Sequence, residues 1–254
     1  MSVVIGYKEL SDELRRRIDS GEFGPGDKLP KITELMEEYG LARQTVRGAI
    51  GELADEGLVV AIRKAGTIVR HRTPVVIPLN RYRHVMAPDG AKGPWETATA
   101  SQGLDGSMEL VRVERFPADA ELGGLLDASG GELVYRLRHA VIRPDDVVQI
   151  QHAWYPAELA DAAGIATAEK VRGGVYRALA AAGFTPVSIS ETVAARAPSA
   201  GESARLRIGG KVSVLVVERL TRDATGRALE VLRTVAPADR IRLSYDDLPL
   251  APGS

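Results

Sequence analysis

Arg43, Gln44, Thr45 and Arg47 stand at the front of the segment LARQTVRGAIGELADE, residues 41–56. These side-chain types can recognise duplex DNA: Arg bridges guanine O6 and N7, Gln bridges the edge of adenine, and Thr bonds phosphate or meets a thymine methyl. On a helix they share one side while Val46, Ile50 and Leu53 occupy the other, so the back can be core and the front can meet base edges. A solvated amphipathic helix has the same period, and the surrounding chain must decide between the two.

A second group has different chemistry. In Val134-Tyr135-Arg136-Leu137-Arg138, alternate residues of a strand share a face, so Arg136 and Arg138 point the same way. Arg143-Pro144-Asp145-Asp146-Val147 is a turn by composition; centred on Asp145, it would set Trp154 and His152 opposite the two arginines. Two guanidinium forks beside an imidazole and an indole would cradle a phosphate or a carboxylate. A solvated sheet face carrying long cations is the competing account.

Enzyme chemistry is poorly provided for. There is no cysteine, hence no thiol nucleophile, disulfide framework or thiolate metal site. The four histidines are scattered without metal-ligand spacing, and no G-x-S-x-G, P-loop or dinucleotide fingerprint appears in a strand–helix context. We expect no catalytic residues, no metal and no cofactor.

The elements that must position these groups can be read from periodicity. Leu10, Leu14 and Ile18 recur every fourth residue, so Tyr7–Ser20 is a helix with one inward stripe, ended by Gly21, Gly24, Pro25 and Gly26. Ile32, Leu35, Met36 and Tyr39 give a short second helix after Pro30, closed by Gly40. With Leu41 plugging the turn, the second and third helices make a helix-turn-helix. After Gly57 the period changes to two: Leu58–Ile62 and Thr67–Arg70 read as strands around the basic tip Arg63-Lys64-Ala65-Gly66, a wing. Acids and bases balance over residues 1–72, yet from Gly57 to Pro88 there are basic residues and no acid, as expected where phosphates approach.

The chain of 254 residues, 44% hydrophobic, is long enough for two cores. Prolines and glycines without helical period between Thr73 and Pro94 mark a linker. We therefore expect a DNA-binding domain at 1–72, a linker at 73–90 and a larger domain at 91–254. Strand-like runs dominate the latter: Glu109–Phe116, Leu133–Arg143, Val147–Tyr155, Pro186–Arg196, Val212–Arg222, Leu229–Ala236 and Arg240–Ser244. Helical candidates intervene at Asp119–Leu126, Pro156–Ala163, Val171–Ala182 and Ala200–Leu206, so this half should be α+β with an antiparallel sheet.

The run from YKELSDELRRRIDSGEFGPGDKLP through LARQTVRGAIGELADEGLV into AGTIV resembles the winged helix of the GntR family of bacterial transcription regulators. Two positions depart from the family pattern. Thr33 stands where a DNA-contacting Arg is usual, and Ala42 replaces the Ser that caps the recognition helix, a loss of about 0.5–2 kcal/mol. Tyr7, Lys31, Thr33, Arg43, Gln44, Thr45, Arg47, Arg63, Lys64 and Gly66 form the expected DNA-contacting set.

Residues 90–245 resemble the UTRA ligand-sensing domain of the HutC subfamily, carried by the R-x-R strand, Ala153-Trp154-Tyr155-Pro156, Glu191–Arg196 with Pro198, and Val217-Glu218-Arg219 followed by Gly226 and Glu230. The resemblance implies a chorismate-lyase-like fold that binds a small molecule and dimerises. It adds Glu191 and Glu230 as hydroxyl acceptors, and Gly106 and Ser107 in an anion-holding loop where Asp105 is a departure. The expected effector set is Gly106, Ser107, Arg136, Arg138, His152, Trp154, Glu191 and Glu230.

With no apolar run long enough to span a bilayer and no leader signature, the expectation is a cytoplasmic homodimer. It would be a ligand-responsive repressor that binds a two-fold symmetric DNA operator and is released by a small effector, for which an anion is one candidate. The alternatives are a DNA-binding structural or partition factor whose second half only dimerises, and a lyase-like enzyme.

Overall fold

The computed structural model describes residues 6–78, 93–144, 146–171 and 173–246. The chain forms two units: one of residues 1–73 and 197–213, the other of 74–196 and 214–254.

In the first unit, α1 (Tyr7–Asp19), α2 (Ile32–Tyr39) and α3 (Arg43–Asp55) precede the hairpin of β1 (Val59–Ile62) and β2 (Gly66–Val69). Leu10, Leu14, Leu35, Val46, Ala49 and Leu53 are fully buried together, closed below by Leu58, Val59 and Val69. The i, i+4 stripe of α1 thus meets the back of α3 as its period requires. Leu41 packs against this core from the α2–α3 turn, where Gly40 takes the left-handed conformation that ends α2. Arg15 ties α1 to Glu56 beyond the end of α3 at 2.9 Å.

The same unit holds α8 (Ala200–Leu206), which begins on a reciprocal Ser199–Glu202 cap. Lys211, just beyond it, donates its backbone N–H to the carbonyl of Asp55 and its ammonium to Glu52 at 2.8 Å. A carbonyl orphaned at the C-terminus of α3 is thereby satisfied, and a cation sits where the helix dipole favours one.

The second unit is built on a six-stranded antiparallel sheet in the order β4 (Ser107–Pro117), β5 (Glu132–Val141), β6 (Val147–Pro156), β9 (Ala228–Pro237), β8 (Val214–Arg222), β7 (Ser188–Arg196). α5 (Ala120–Leu125) packs on one face through Leu122 and Leu126, against Leu133 and Val231. The other face is covered at its two ends. At one end α6 (Ala157–Ala162) and α7 (Val175–Ala181) bury Leu159, Tyr176 and Leu179 against Val134, Ala153 and Tyr155. At the other, α4 (Pro94–Ala100) and the parallel pair β3 (Val75–Pro78) and β10 (Ile241–Ser244) bury Trp95, Ile77 and Ile241 against Ala140 and Ala236. The gap between the two covers is a cavity.

Four features differ from the sequence reading. Val75–Pro78, assigned to the linker, is a strand paired with β10, and residues 197–213, assigned to the second domain, belong to the first unit. α4 went unrecognised because Gly93 and Pro94 look like linker residues, although Pro at the first helical position is a start signal. α7 is shorter than expected, since Gly173 and Gly174 both take positive φ and keep the helix from starting earlier. Much of the expected linker, residues 79–90, lies outside the described residues.

Candidate nucleic-acid interface and anion pocket

On α3, Arg43, Gln44 and Arg47 are exposed while Thr45 is half-buried. None of the three exposed side chains makes a hydrogen bond or ion pair with another described residue. Ala42 leaves the first N–H groups of α3 without a side-chain cap, as its identity implies. The helix instead leans on Val46, Ala49 and Leu53, all at 0% exposure. At the tip of the hairpin Arg63 and Lys64 project, with Lys64 at φ 66° and Gly66 at φ 102°. Tyr7, Lys31 and Thr33 are exposed, and Lys31 lies 3.6 Å from Glu34 on the first turn of α2. The expected DNA-facing residues thus come from α1, α2, α3 and the hairpin of one unit.

The cavity of the second unit, about 1010 Å³, contains Arg136, Arg138, Glu191 and Glu230 in its lining. Register explains how they meet. Across the sheet one row runs Leu110, Arg138, Gln151, Thr234, Val217, and the next runs Arg136, Ala153, Leu232, Arg219, Glu191. All project to the face between the two covers.

Here the expected turn centre is corrected. Arg138 pairs with Gln151 and Arg136 with Ala153, so His152 and Trp154 lie on the opposite face. A one-residue slip in register reverses every side chain. There Tyr135 bonds His152 Nδ1 at 2.7 Å and stacks near Trp154. The loop before β4 is corrected as well. Gly106 abuts Thr99 of α4 so closely that a Cβ would come within 2.2 Å of its Oγ1, and neither Gly106 nor Ser107 lines the cavity.

Neither Arg136 nor Arg138 forms an ion pair with an acid among the described residues, although the field of Arg138 reaches Glu230. Arg136, 3% exposed, donates to the carbonyls of Ile165 and Thr167, which are neutral acceptors. Burial holds its pKa below the ordinary guanidinium value; the field of Tyr155 opposes this and that of Arg138 adds to it. Arg138 makes no hydrogen bond or ion pair with another described residue, and both Nε atoms are buried without an acceptor. Two neighbouring guanidiniums, one buried and one half-buried, that form no ion pair within the described chain favour an anion beside them.

Glu230 is already committed. Its carboxylate accepts from Tyr155, from Tyr176 at 3.2 Å and from Arg219 at 2.6 Å, and burial of the Tyr155 phenol beside it drives that group well above its ordinary pKa. Glu230 thus fixes Arg219 and two tyrosines as a rigid wall, rather than offering free acceptor capacity for hydroxyls.

The sequence reading missed Gln151, Thr234, Arg219 and Tyr176 as lining residues. With the turn centred half a residue earlier, Gln151 and Arg138 would have been opposed.

Among the described residues no helix is long and apolar enough to cross a membrane. Residues 6–69 match the model of the gntR family of bacterial regulatory proteins and residues 101–242 match the UTRA domain. A helix-turn-helix transcriptional regulator of Streptomyces coelicolor is 28% identical over 94% of this chain and 91% of its own length. The transcriptional repressor PhnF of Mycolicibacterium smegmatis is 25% identical over 94% and 91%, and its crystal structure superposes with a TM-score of 0.60 over 95% of this chain and 99% of that one. The crystal structure of another GntR-family regulator, 27% identical, covers 98% and 99% with a TM-score of 0.59. The family's members are transcription regulators and not enzymes, with a DNA-binding head and a small-molecule-binding module. The chain belongs to the GntR family of bacterial transcription regulators, in its HutC-type branch that joins a winged helix to a UTRA domain.

Proposed function

We propose that this regulator is a cytoplasmic homodimeric repressor that holds a two-fold symmetric operator and lets go when a small anion enters the cavity of the sheet unit. Arg43, Gln44 and Arg47 read base edges in the major groove with Thr45 beside them. Tyr7, Lys31 and Thr33 contact the backbone, and Arg63 and Lys64 reach phosphate or minor groove from the wing, with Gly66 allowing close approach. Arg136 and Arg138 receive the anion. One observation supports the reading: the cations exposed on α3 and the cavity arginines that form no ion pair lie in different units of the chain, so one surface is available for DNA and another for a ligand.

Two recognition helices must reach successive major grooves about 34 Å apart. The ligand acts only if it binds the two arrangements of the dimer unequally. That several relatives are named as repressors supports the sign of regulation.

Selection of duplexes from a random library by the full-length protein tests this. An inverted repeat with half-sites one helical turn apart, bound by two chains, is expected. Enrichment of a single half-site by one chain, or no enrichment at all, would overturn it.

A further inference from the structure

The cavity changes character along the strands, and the gradient specifies its occupant. At the α6–α7 end stand Arg136, Arg138 and the Arg219–Glu230 pair. Two residues further along the strands their charged groups are gone: Met108, Ala236 and Leu215 follow Leu110, Thr234 and Val217, and the polar lining left at this end is Gln149 of β6 and Glu96 of α4. Over this end lie Trp95 of α4, Ile77 of β3 and Ile241 and Leu243 of β10.

The polar atom of Trp95 is spent, because its Nε1–H donates to the Val141 carbonyl at 3.2 Å. The amide of Gln151 lies 3.4 Å from the carbonyl oxygen of its neighbour Gln149. A polyhydroxylated body reaching this end would find few partners besides Gln149 and Glu96 for its many hydroxyls, whereas an apolar one would be matched by Trp95, Ile77, Met108, Leu215 and Ile241. Glu96 and Glu169 also line the cavity, but neither pairs with Arg136 or Arg138.

We infer that the effector is an amphiphilic acid whose carboxylate is held by Arg136 and Arg138 and whose unbranched apolar body lies along the strands under Trp95, Ile77 and Ile241. From Arg136 to Ala140 is four residues, about 13 Å of strand, which an extended chain of roughly ten carbons would fill. The inference rests on the proposal that this cavity is the effector site.

The chain has two tryptophans, and Trp154 is on the opposite face, so full-length Trp154→Phe reports on Trp95 by fluorescence. It is titrated with decanoate, octanoate, acetate, decanol, glucose 6-phosphate and inorganic phosphate. Decanoate should change the Trp95 emission saturably, and octanoate should bind about tenfold more weakly, as two methylenes imply. Arg138→Gln should weaken decanoate at least tenfold and leave decanol unchanged.

Tighter binding of glucose 6-phosphate or phosphate than of decanoate, or a decanoate affinity independent of chain length, would overturn the inference. The chain-length series requires no change to the cavity, so it stands even if the Arg138 variant folds poorly. If glucose 6-phosphate binds more tightly than decanoate and in an Arg138-dependent way, the amphiphile falls and the effector site survives. If Arg138→Gln alters no probe's binding in a folded protein, both fall.

Discussion

The guanidinium of Arg219 and the carboxylate of Glu230 meet at 2.6 Å inside the sheet unit, their side chains 8% and 1% exposed. They are diagonal neighbours on adjacent strands, since Arg219 stands directly opposite Leu232. Removing one charge strands the other in a medium that solvates it badly. Glu230→Gln should therefore lower the unfolding free energy by about 3 kcal/mol, and adding Arg219→Met should recover most of the loss. Urea titration of the single and double variants measures both; an undiminished single variant would mean that water reaches Arg219.

Acid should act on the same pair. Burial alone would raise the Glu230 carboxyl, but the charges of Arg219 and Arg138, with hydrogen bonds from Tyr155 and Arg219, outweigh it and hold the pKa below the ordinary value of 4.5. Asp146 behaves alike: burial opposes ionisation, and Arg240 and Arg143 together prevail, keeping it below 3.8. Both folded-state values are depressed, so the unfolded chain takes up protons first. The stabilisation is complete above the ordinary carboxylate range and disappears as pH falls through it toward the folded values. Melting temperature should thus be flat near neutrality and fall steeply in acid, and the fall should be shallower in Glu230→Gln, Arg219→Met.

Arg43 and Arg47 are exposed and unpartnered within the described chain, so neither contributes to the core of the head. Each should lose about 1–3 kcal/mol of operator affinity on replacement by Ala with no change in melting temperature. Footprinting of both variants on the selected duplex is the measurement. An unaltered footprint in both would remove α3 from the major groove.

How much of this was visible in the chain itself differs between the two units. In the head, Leu10, Leu14 and Ile18, then Val46 and Leu53, follow the helical period, so the core and the exposed face of α3 are legible by local spacing. In the sheet unit Arg136 and Arg138 could be placed on one face, but their partners depend on a register set by the turn after Val141. Pairing there shifts between Ala140 and Val141, and composition does not encode half a residue. Trp95, Ile77 and Ile241 reach the cavity only through long-range packing, and Lys211 meets α3 from more than 150 positions away. No local pattern announces such contacts.

Lys64 occupies the left-handed region at φ 66° at the wing tip, which is costly for any residue with a Cβ. Lys64→Gly removes the charge and the strain together. The variant should be as stable as the parent or up to about 1 kcal/mol more so. It should bind every duplex more weakly, with the slope of log affinity against log salt reduced by about one. A loss restricted to one sequence would mean that the wing reads bases rather than phosphate.

The glycines touching α3 should respond with opposite signs. Gly51 is exposed inside the helix and an added Cβ would meet nothing within 4 Å, so its only effect there is the backbone freedom it gives the unfolded chain. Gly51→Ala should stabilise the head by about 1 kcal/mol. Gly209 lies against the C-terminal end of the same helix, where a Cβ would come within 2.2 Å of the Ala54 carbonyl oxygen and 2.4 Å of Asp55 Cα. Those are backbone atoms that cannot rotate away, so the segment carrying Lys211 would have to lift and release the Asp55 carbonyl. Gly209→Ala should cost about 1–3 kcal/mol, and hydrogen exchange should show faster opening at Lys211. Equal stability of the two variants would show that residues 209–212 do not rest on α3 in solution.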